Sequence, residues 1–219
     1  MKKTSLFVVF TLVLFISVGV ANAALIFQDN FDLENSSAGM KNYFGFSSWS
    51  VTGAVDIIGN SYFDLLPGNG LYVDMDGSKL GTAGTMTTKS YFSLDPGTYT
   101  LSFKLAGNQR DGNAEQVLVS VGDYLSETYS LPMSTGFTRF TETFEVINST
   151  LVSISFQGSG GDKIGMLLDD IIFEKVDAPT FRATEPNIPA TVPVPEPATI
   201  LLLGAGLIGV AGIGRKKLG

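Results

Sequence analysis

The stretch Tyr99-Thr100-Leu101-Ser102-Phe103-Lys104-Leu105 decides the fold class, because apolar and polar residues alternate through all of it. Successive side chains of a β-strand point to opposite faces, so this period of two predicts a strand with one buried and one exposed face. The same alternation recurs at 117–121 and 152–156. We therefore expect several half-buried strands that share one core.

Further strands are predicted where short apolar runs lie between turn residues. They are 25–28, 49–58, 71–75, 84–92, 138–146 and 166–174. Turn sequences such as Leu94-Asp95-Pro96-Gly97 separate them. About eight or nine short strands without an amphipathic helix favour an all-β fold, an antiparallel β-sandwich of the jelly-roll type.

Composition excludes several kinds of chemistry. The chain has 219 residues with no cysteine and no histidine. Disulfides, thiol nucleophiles, zinc sites built from Cys and His, and Ser-His-Asp catalysis are therefore excluded. Residues 24–190 hold nine Lys and Arg against twenty Asp and Glu. We expect this acidic body to repel nucleic acid and to be compatible with neutral sugars and divalent cations.

Residues 1–23 have the three parts of a secretory signal peptide. Lys2 and Lys3 supply the positive start, 6–20 the apolar run, and Ala21-Asn22-Ala23 the small-x-small cleavage site. We expect a signal-peptide helix that is removed after Ala23, and an uncleaved N-terminal membrane helix is the alternative.

The C-terminal segment combines a proline motif, an apolar run and a basic cluster. Its elements are Pro195, Glu196 and Pro197, then 198–214, which predicts a transmembrane helix, then Arg215, Lys216 and Lys217. This arrangement resembles the PEP-CTERM sorting signal, which would span 194–217. The resemblance implies export, anchoring in the inner membrane at least transiently, processing by an exosortase, and residence in the envelope, at the surface or in extracellular matrix. The preceding residues, 178–193, are rich in proline and predict an extended linker.

The body, 24–177, resembles the galactose-binding-like jelly-roll modules found among carbohydrate-binding domains. The segments 27–32, 49–51, 94–103 and 167–171 carry this resemblance. It implies a non-enzymatic module that binds extracellular polysaccharide or builds matrix, with no organic cofactor. Two alternatives stay open: an enzyme that acts on polysaccharide through carboxylate acid and base, and a self-associating structural or adhesive surface protein.

Many modules of this kind hold a structural Ca²⁺ through an acid after the first strand and another on the last strand. The matching positions are Asp32 and Asp169, and Asp76 is a third acid to complete the oxygen shell. Two apposed carboxylates need a cation, or a raised pKa must neutralise one of them. Solvated acids without a metal are the alternative.

The loop 107–113 is the predicted ligand-binding region. It places the amides of Asn108 and Gln109 and the guanidinium of Arg110 together after a core strand. Binding residues on a rigid sandwich usually lie in such loops. Asp169 and Asp170 are not predicted as a catalytic pair, because adjacent strand residues point to opposite faces.

Overall fold

The part of the chain that the computed structural model describes, residues 23–79, 81–110 and 115–176, is built almost entirely from β-strands. Its one helical element is the 3₁₀ turn Glu34–Ser37, and the predicted all-β class is confirmed. The strands in chain order are β1 (Ala23–Asp29), β2 (Trp49–Thr52), β3 (Asp56–Gly59), β4 (Leu71–Asp74), β5 (Thr85–Thr88), β6 (Phe92–Leu94), β7 (Gly97–Ala106), β8 (Gln116–Val121), β9 (Leu125–Ser130), β10 (Thr138–Val146), β11 (Thr150–Val152), β12 (Ile154–Gly158) and β13 (Leu167–Val176).

These strands form two main antiparallel sheets and a small one. The six-stranded sheet has the order β10-β7-β13-β4-β3, and β1 also pairs with β13. The five-stranded sheet has the order β2-β5-β12-β8-β9. β6 and β11 pair with each other. Because the apolar faces of both main sheets contribute to one core, the predicted antiparallel sandwich arrangement is confirmed.

Aromatic side chains from both sheets meet in this core. Trp49, Phe103 and Phe156 are fully buried, and the ring centroid of Phe156 lies 5.8 Å from that of Trp49 and 5.4 Å from that of Phe103. Burying one such side chain stabilises a fold by roughly 1.5–3 kcal/mol. The period of two along β7 places Phe103 in the core.

Several predicted strands are wrong in extent. The segment 49–58 divides into β2 and β3 at Gly53, where φ is +74° and an added Cβ would lie 2.1 Å from the carbonyl oxygen of Ala83. The segments 84–92 and 152–156 each divide into two strands as well. β9 was missed because most of its residues are polar: it forms one edge of its sheet, where few side chains are buried.

β13 changes its partner halfway along its length. Leu167 and Leu168 pair with β4, whereas 171–176 pair with β1. The register against β7 shifts between Asp169 and Ile172, and Asp170 has a φ of +47°. This bulge places Asp169 and Asp170 where β13 passes from β4 to β1.

The predicted terminal segments lie almost wholly outside the described residues. Ala23, the last predicted signal residue, is the first residue of β1 and pairs with Val176. Ala21, the linker 178–193 and the tail 194–217 lie outside, so the predicted cleavage and membrane helix stay predictions. In the ranges that the structure does describe, no helix is long and apolar enough to cross a membrane.

Candidate functional site

An open pocket of about 400 Å³ lies where the end of β1 meets the bulge of β13, and we call it the β1 pocket. Amide, carboxylate and hydroxyl groups line it beside apolar side chains, and no Lys or Arg is among the described residues that line it. Lys104 Nζ lies 2.5 Å from the carboxylate of the lining residue Asp170. The lining residues are Gln28, Asp29, Asn30, Leu33, Glu34, Ser47, Ser48, Asp170, Ile171 and Ile172. This mixture suits an uncharged ligand that carries many hydroxyl groups.

Two carboxylates of the β1 pocket are held by donors from the protein. Asp29 accepts hydrogen bonds from Trp49 Nε1 at 2.8 Å and from the backbone N of Phe31 at 2.9 Å. Glu34 accepts hydrogen bonds from the backbone N of Ser47, at 2.8 Å, and from Ser47 Oγ. Burial raises the pKa of Asp29, the charge of Glu34 adds to the increase, and the two hydrogen bonds to Asp29 oppose it.

The backbone around this pocket adopts an uncommon conformation. Phe31, Asn35, Ser36 and Asp170 all have φ values between +44° and +60°. Residues other than glycine rarely adopt this left-handed region, and each such residue costs about 1–2 kcal/mol. These conformations persist only where surrounding contacts enforce them, and they cluster at ligand-binding sites.

Asp32 and Asp169 lie near the same junction of β1, β4 and β13. Asp32 accepts hydrogen bonds from the backbone N of Leu71 at 2.9 Å and from Asn30 Nδ2 at 2.8 Å. Asp169 is buried and accepts one from the backbone N of Asp170 at 2.7 Å. Burial raises the pKa of Asp169 to about 7, and the charges of Asp170 and Asp32 add to the increase. The carboxylates of Asp32 and Asp169 therefore repel each other.

Asp76, the third predicted calcium ligand, does not lie at this junction. Asp32 contacts the first residue of β4, whereas Asp76 follows the last one, and a strand advances about 3.3 Å per residue. Asp76 Oδ2 instead accepts hydrogen bonds from three successive backbone N–H groups at 161–163, at 2.6 to 3.1 Å. The described ranges contain no group of three or more acidic side chains placed to hold a metal ion.

A calcium ion needs six to eight oxygen ligands. Asp32 and Asp169 fit this chemistry as two repelling carboxylates at one junction, and backbone carbonyls or waters would have to supply the other oxygens. Calcium at this junction stays a prediction.

The predicted ligand-binding residues Asn108, Gln109 and Arg110 make contacts inside the protein. Asn108 is 1% exposed, and its Oδ1 accepts a hydrogen bond from the backbone N of Arg110 at 2.8 Å. Gln109 Nε2 donates to the carbonyl oxygen of Thr135 at 2.7 Å. The Arg110 guanidinium binds the carboxylate of Asp74 at 2.5 Å. A ligand at this loop would have to compete with these contacts.

Asp74 is the buried partner in that ion pair. Desolvation raises its pKa to about 7, although the charge and the hydrogen bond of Arg110 oppose the increase. The ion pair joins the end of β4 to the loop after β7, so its observed role is to hold two segments of the sandwich together.

Sequence reasoning missed the β1 pocket, because three segments far apart in the chain form it. Asp29 ends β1 and Glu34 follows it, Ser47 and Ser48 precede β2, and Asp170 lies on β13. The polar residues at the end of β1 and directly after it indicate a site there, but of these residues only Asp32 was predicted as a site residue.

The C-terminal tail matches a known family model. Residues 193–216 match the PEP-CTERM protein-sorting motif. The predicted signal residues Pro195, Glu196, Pro197, Arg215 and Lys216 lie within this match, and Lys217 follows it directly. The motif implies an exported, envelope-associated protein that an exosortase processes.

No curated protein matches the chain. Solved structures similar to the body include exo-beta-1,3-galactanase from Phanerochaete chrysosporium with galactose, at 23% identity and a TM-score of 0.39, covering 62% of this chain. TmCBM61 in complex with beta-1,4-galactotriose is 16% identical with a TM-score of 0.44, covering 59% of this chain and 90% of that one. The C-terminal CBM6 of LamC from Zobellia galactanivorans is 14% identical with a TM-score of 0.41, covering 63% and 100%.

The chain spans 29% of the length of the galactanase. At these identities and TM-scores the three similarities carry no argument about ligand or activity.

Proposed function

We propose that the protein is an exported, envelope-associated module that binds a neutral polysaccharide in the β1 pocket without cleaving it. We propose further that its body is a jelly-roll sandwich and that 198–214 forms a membrane helix, which holds the protein in the inner membrane until an exosortase processes the tail. The observation that carries the proposal is the open pocket of about 400 Å³ lined by amide, carboxylate and hydroxyl groups beside apolar side chains.

The lining of this pocket favours an uncharged sugar over other ligands. Carboxylates and amides form hydrogen bonds with sugar hydroxyls, which can both donate and accept. Leu33 is 89% exposed at the pocket and offers apolar surface to the C–H face of a sugar ring. The carboxylates of Asp29 and Glu34 disfavour an anionic polymer, whereas that of Asp170 is paired with Lys104.

The hydrogen bonds that Asp29 and Glu34 accept from the protein favour binding without cleavage. Each oxygen of Asp29 accepts a hydrogen bond from the protein, and Oε1 of Glu34 accepts two. A glycosidase needs one carboxyl group to donate a proton and another to act as base or nucleophile across the bond that is cleaved. The raised pKa of Asp29 is the observation in favour of an enzyme, so the experiment also measures product release.

The experiment uses the purified full chain and the neutral polymers galactan, mannan and dextran in affinity electrophoresis. Gln28→Ala and Leu33→Ala change exposed pocket side chains, and Thr143→Ala on β10 is the matched control outside the pocket. We expect each pocket variant to weaken retention by about fivefold or more, the loss of about one hydrogen bond or apolar contact, and the control to leave it unchanged.

Unchanged retention in both pocket variants would contradict the pocket proposal. If the parent chain releases reducing sugar and Asp29→Asn abolishes this release, the protein is an enzyme that cleaves polysaccharide, and the proposal of binding without cleavage is wrong.

We also propose that calcium binds near Asp32 and Asp169. The support is geometric: Asp32 contacts the start of β4, and Asp169 lies buried on β13 beside that strand, so a cation there would offset the charge of buried carboxylates. Calcium there would stabilise the backbone that borders the β1 pocket, because Asp170 is next to Asp169 in the chain.

A further inference from the structure

β10 is the longest strand at an edge of the two main sheets. It has nine residues, and all nine pair with β7 without a register shift. Within the described part of the chain, β7 is its one strand partner, so the backbone N–H and C=O groups on its other side have no strand to pair with. Unpaired groups along an edge are a template for another strand.

The other edges are shorter or interrupted. β9 has six residues, and β2 and β3 have four each, with Met40 bridging to Ile57 of β3. β1 has a register shift between Leu25 and Phe27. β10 contains no proline, no glycine and no lysine, and proline, lysine and bulges are features that usually keep an edge from pairing. β10 is therefore the edge of the described body best suited to pair with another strand.

The sequence of β10 is complementary to itself. The segment 140–144 is Phe-Thr-Glu-Thr-Phe, which reads the same in both directions, and Arg139 and Glu145 flank it with opposite charges. When two copies of such a strand pair in antiparallel fashion, a twofold axis through Glu142 places residues at equal distances from it opposite each other. Arg139 of each copy then lies opposite Glu145 of the other.

This register also matches side chains by type on both faces of the strand. On the outer face, Thr141 lies opposite Thr143 of the second copy, and both are exposed in a single copy. On the core side, Phe140 lies opposite Phe144, and Phe140 is only half-buried in a single copy. Aromatic pairs, Thr–Thr pairs and opposite charges across strands each stabilise a sheet. The pairing would therefore be favourable on both faces.

Both charged residues at the ends of this segment are available to a second copy. Arg139 Nη2 lies 3.8 Å from Asp170 Oδ2, and the Arg139 side chain is 43% exposed. An ion pair of this length in solvent contributes little stability, so Arg139 can exchange it for another carboxylate. Glu145 is exposed and forms no ion pair with any residue in 23–79, 81–110 or 115–176.

Glu142 is the residue that opposes the pairing. It lies opposite itself on the core side, and an inward charge on an edge strand weakens strand pairing. Its Oε1 accepts a hydrogen bond from Tyr129 Oη at 2.6 Å, which holds the carboxylate on its own copy, and the charge of Glu127 also acts on that hydroxyl. The three kinds of favourable pair occur twice each by symmetry, whereas the Glu142 pair occurs once, and the energies are of similar size. Glu142 therefore weakens the pairing without preventing it.

We infer that β10 is a self-association edge, which pairs in antiparallel fashion with β10 of a second copy about a twofold axis at Glu142. Two six-stranded sheets would then join into one continuous sheet, and two exported bodies would be held together edge to edge. The inference does not depend on the β1 pocket, because no residue of β10 lines that pocket.

Charge exchange across the pairing tests the inference most directly, in sedimentation equilibrium of the full chain in detergent. Glu145→Arg brings two arginines together at both ends of the pairing, and we expect the dimer dissociation constant to rise about tenfold or more. Adding Arg139→Glu to this variant exchanges the charges and should restore the dimer. Ser50→Arg, at an exposed position on β2, is the control and should leave the dimer unchanged. Glu142→Gln removes the repulsive pair and should tighten the dimer about threefold.

Disulfide formation tests the register, because the chain has no cysteine of its own. Residues directly opposite each other have Cβ atoms roughly 4.5–5.5 Å apart, close to what a disulfide needs. We therefore expect Glu142→Cys to form a disulfide-linked dimer on oxidation, since position 142 lies opposite itself. Thr143→Cys is displaced from its own copy in this register and should react about fivefold more slowly or less. Thr128→Cys, exposed on β9, is the control and should not form the dimer.

Several outcomes would overturn the inference. A parent chain that stays monomeric at every concentration would do so. A dimer that Glu145→Arg leaves unchanged would show that the contact lies elsewhere in the chain. Failure of Arg139→Glu to restore the dimer would remove the predicted ion pairs, and faster cross-linking at position 143 than at 142 would contradict the register.

Discussion

The two outer faces of the sandwich use their polar residues in opposite ways. On the six-stranded sheet, Asp170 forms ion pairs with Lys104 at 2.5 Å and with Arg139 at 3.8 Å, and the hydroxyls of Ser102 and Thr141 lie 2.9 Å apart. On the outer face of the five-stranded sheet, strand pairing places Ser50, Thr87, Ser155, Ser120 and Ser126 in one row, and the hydroxyls of Ser50, Ser120 and Ser126 make no hydrogen bond with the described residues. The two faces therefore differ in whether their polar groups bind one another. Polar groups that are not paired within a face can bind solvent or a ligand.

The largest expected effect tests whether both faces depend on one core. Phe156 and Gln157 are neighbours on β12, with Phe156 fully buried and Gln157 exposed. Phe156→Ala should lower the free energy of unfolding by about 3–5 kcal/mol, because it leaves a cavity between Trp49 and Phe103. Gln157→Ala should change it by less than about 0.5 kcal/mol. Urea unfolding followed by Trp49 fluorescence measures both, and similar losses would contradict the inward and outward assignment.

The second prediction concerns how the stability of the protein depends on pH through the buried carboxyl group of Asp74 at the end of β4. Burial raises the pKa of Asp74 from 3.8 to about 7, so the folded protein binds this proton more tightly than the unfolded chain. The contribution of Asp74 to the free energy of unfolding is therefore fully present below pH 3.8 and is lost as the pH rises from 3.8 to about 7. One group with this shift accounts for a loss on the order of 4 kcal/mol.

Urea unfolding between pH 4 and pH 8 checks this dependence, and Asp74→Asn should flatten it. Asp169 acts in the same direction, so part of the slope should remain in that variant. Stability that rises over this range would show that these carboxylates ionise more readily in the folded protein.

The stabilising effect of calcium should depend on residues at the six-stranded sheet and not on residues of the five-stranded sheet. If it binds near Asp32 and Asp169, calcium at ten times its dissociation constant stabilises the folded protein by about 1.4 kcal/mol, and EDTA removes this gain. Thermal melts with and without calcium measure it, and Asp169→Asn should abolish the response. Gln157→Glu should keep it, because Gln157 belongs to the other sheet. An equal response in both variants would place the ion elsewhere.

The smallest expected effect concerns the ion pairs of the charged face. The side chains of Lys104 and Asp170 are 29% and 30% exposed, so solvent screens their attraction. Lys104→Ala should lower the free energy of unfolding by about 0.2–1 kcal/mol, and Arg139→Ala by less. Urea unfolding of both variants checks this. A loss above about 2 kcal/mol would mean that Lys104 is required to hold the bulge of β13.

Much of the fold was predictable because alternation is a local property of the sequence. The segment 138–146 was predicted and observed with the same bounds, and every second residue of β7 from Tyr99 to Leu105 faces the core. β9 was not predicted, because an edge strand buries few side chains and so lacks the alternation of apolar and polar residues. Leu125 is its one buried residue. Gly53 ended a strand through a close approach to Ala83 that no local pattern indicates.

The sites were less predictable, because they depend on which strands become neighbours. Calcium at Asp32 and Asp169 stays a prediction, whereas Asp76 is held by the backbone at 161–163. Asn108 and Gln109 were predicted to bind a ligand, and both already form hydrogen bonds within the protein. A residue type indicates which bonds a group can make, and only the packing decides whether the protein already makes them.

The sequence by itself determined the all-β class, the sorting motif at 193–216 and the chemistry that a chain without Cys and His cannot perform. These properties depend on composition and on patterns within short segments. The tertiary structure decided the β1 pocket, the bulge at Asp170 and the rows that bring Ser50, Ser155 and Ser120 side by side. The reason is physical: strand register joins residues that are distant in the chain, and burying both sheet faces in one core selects that register.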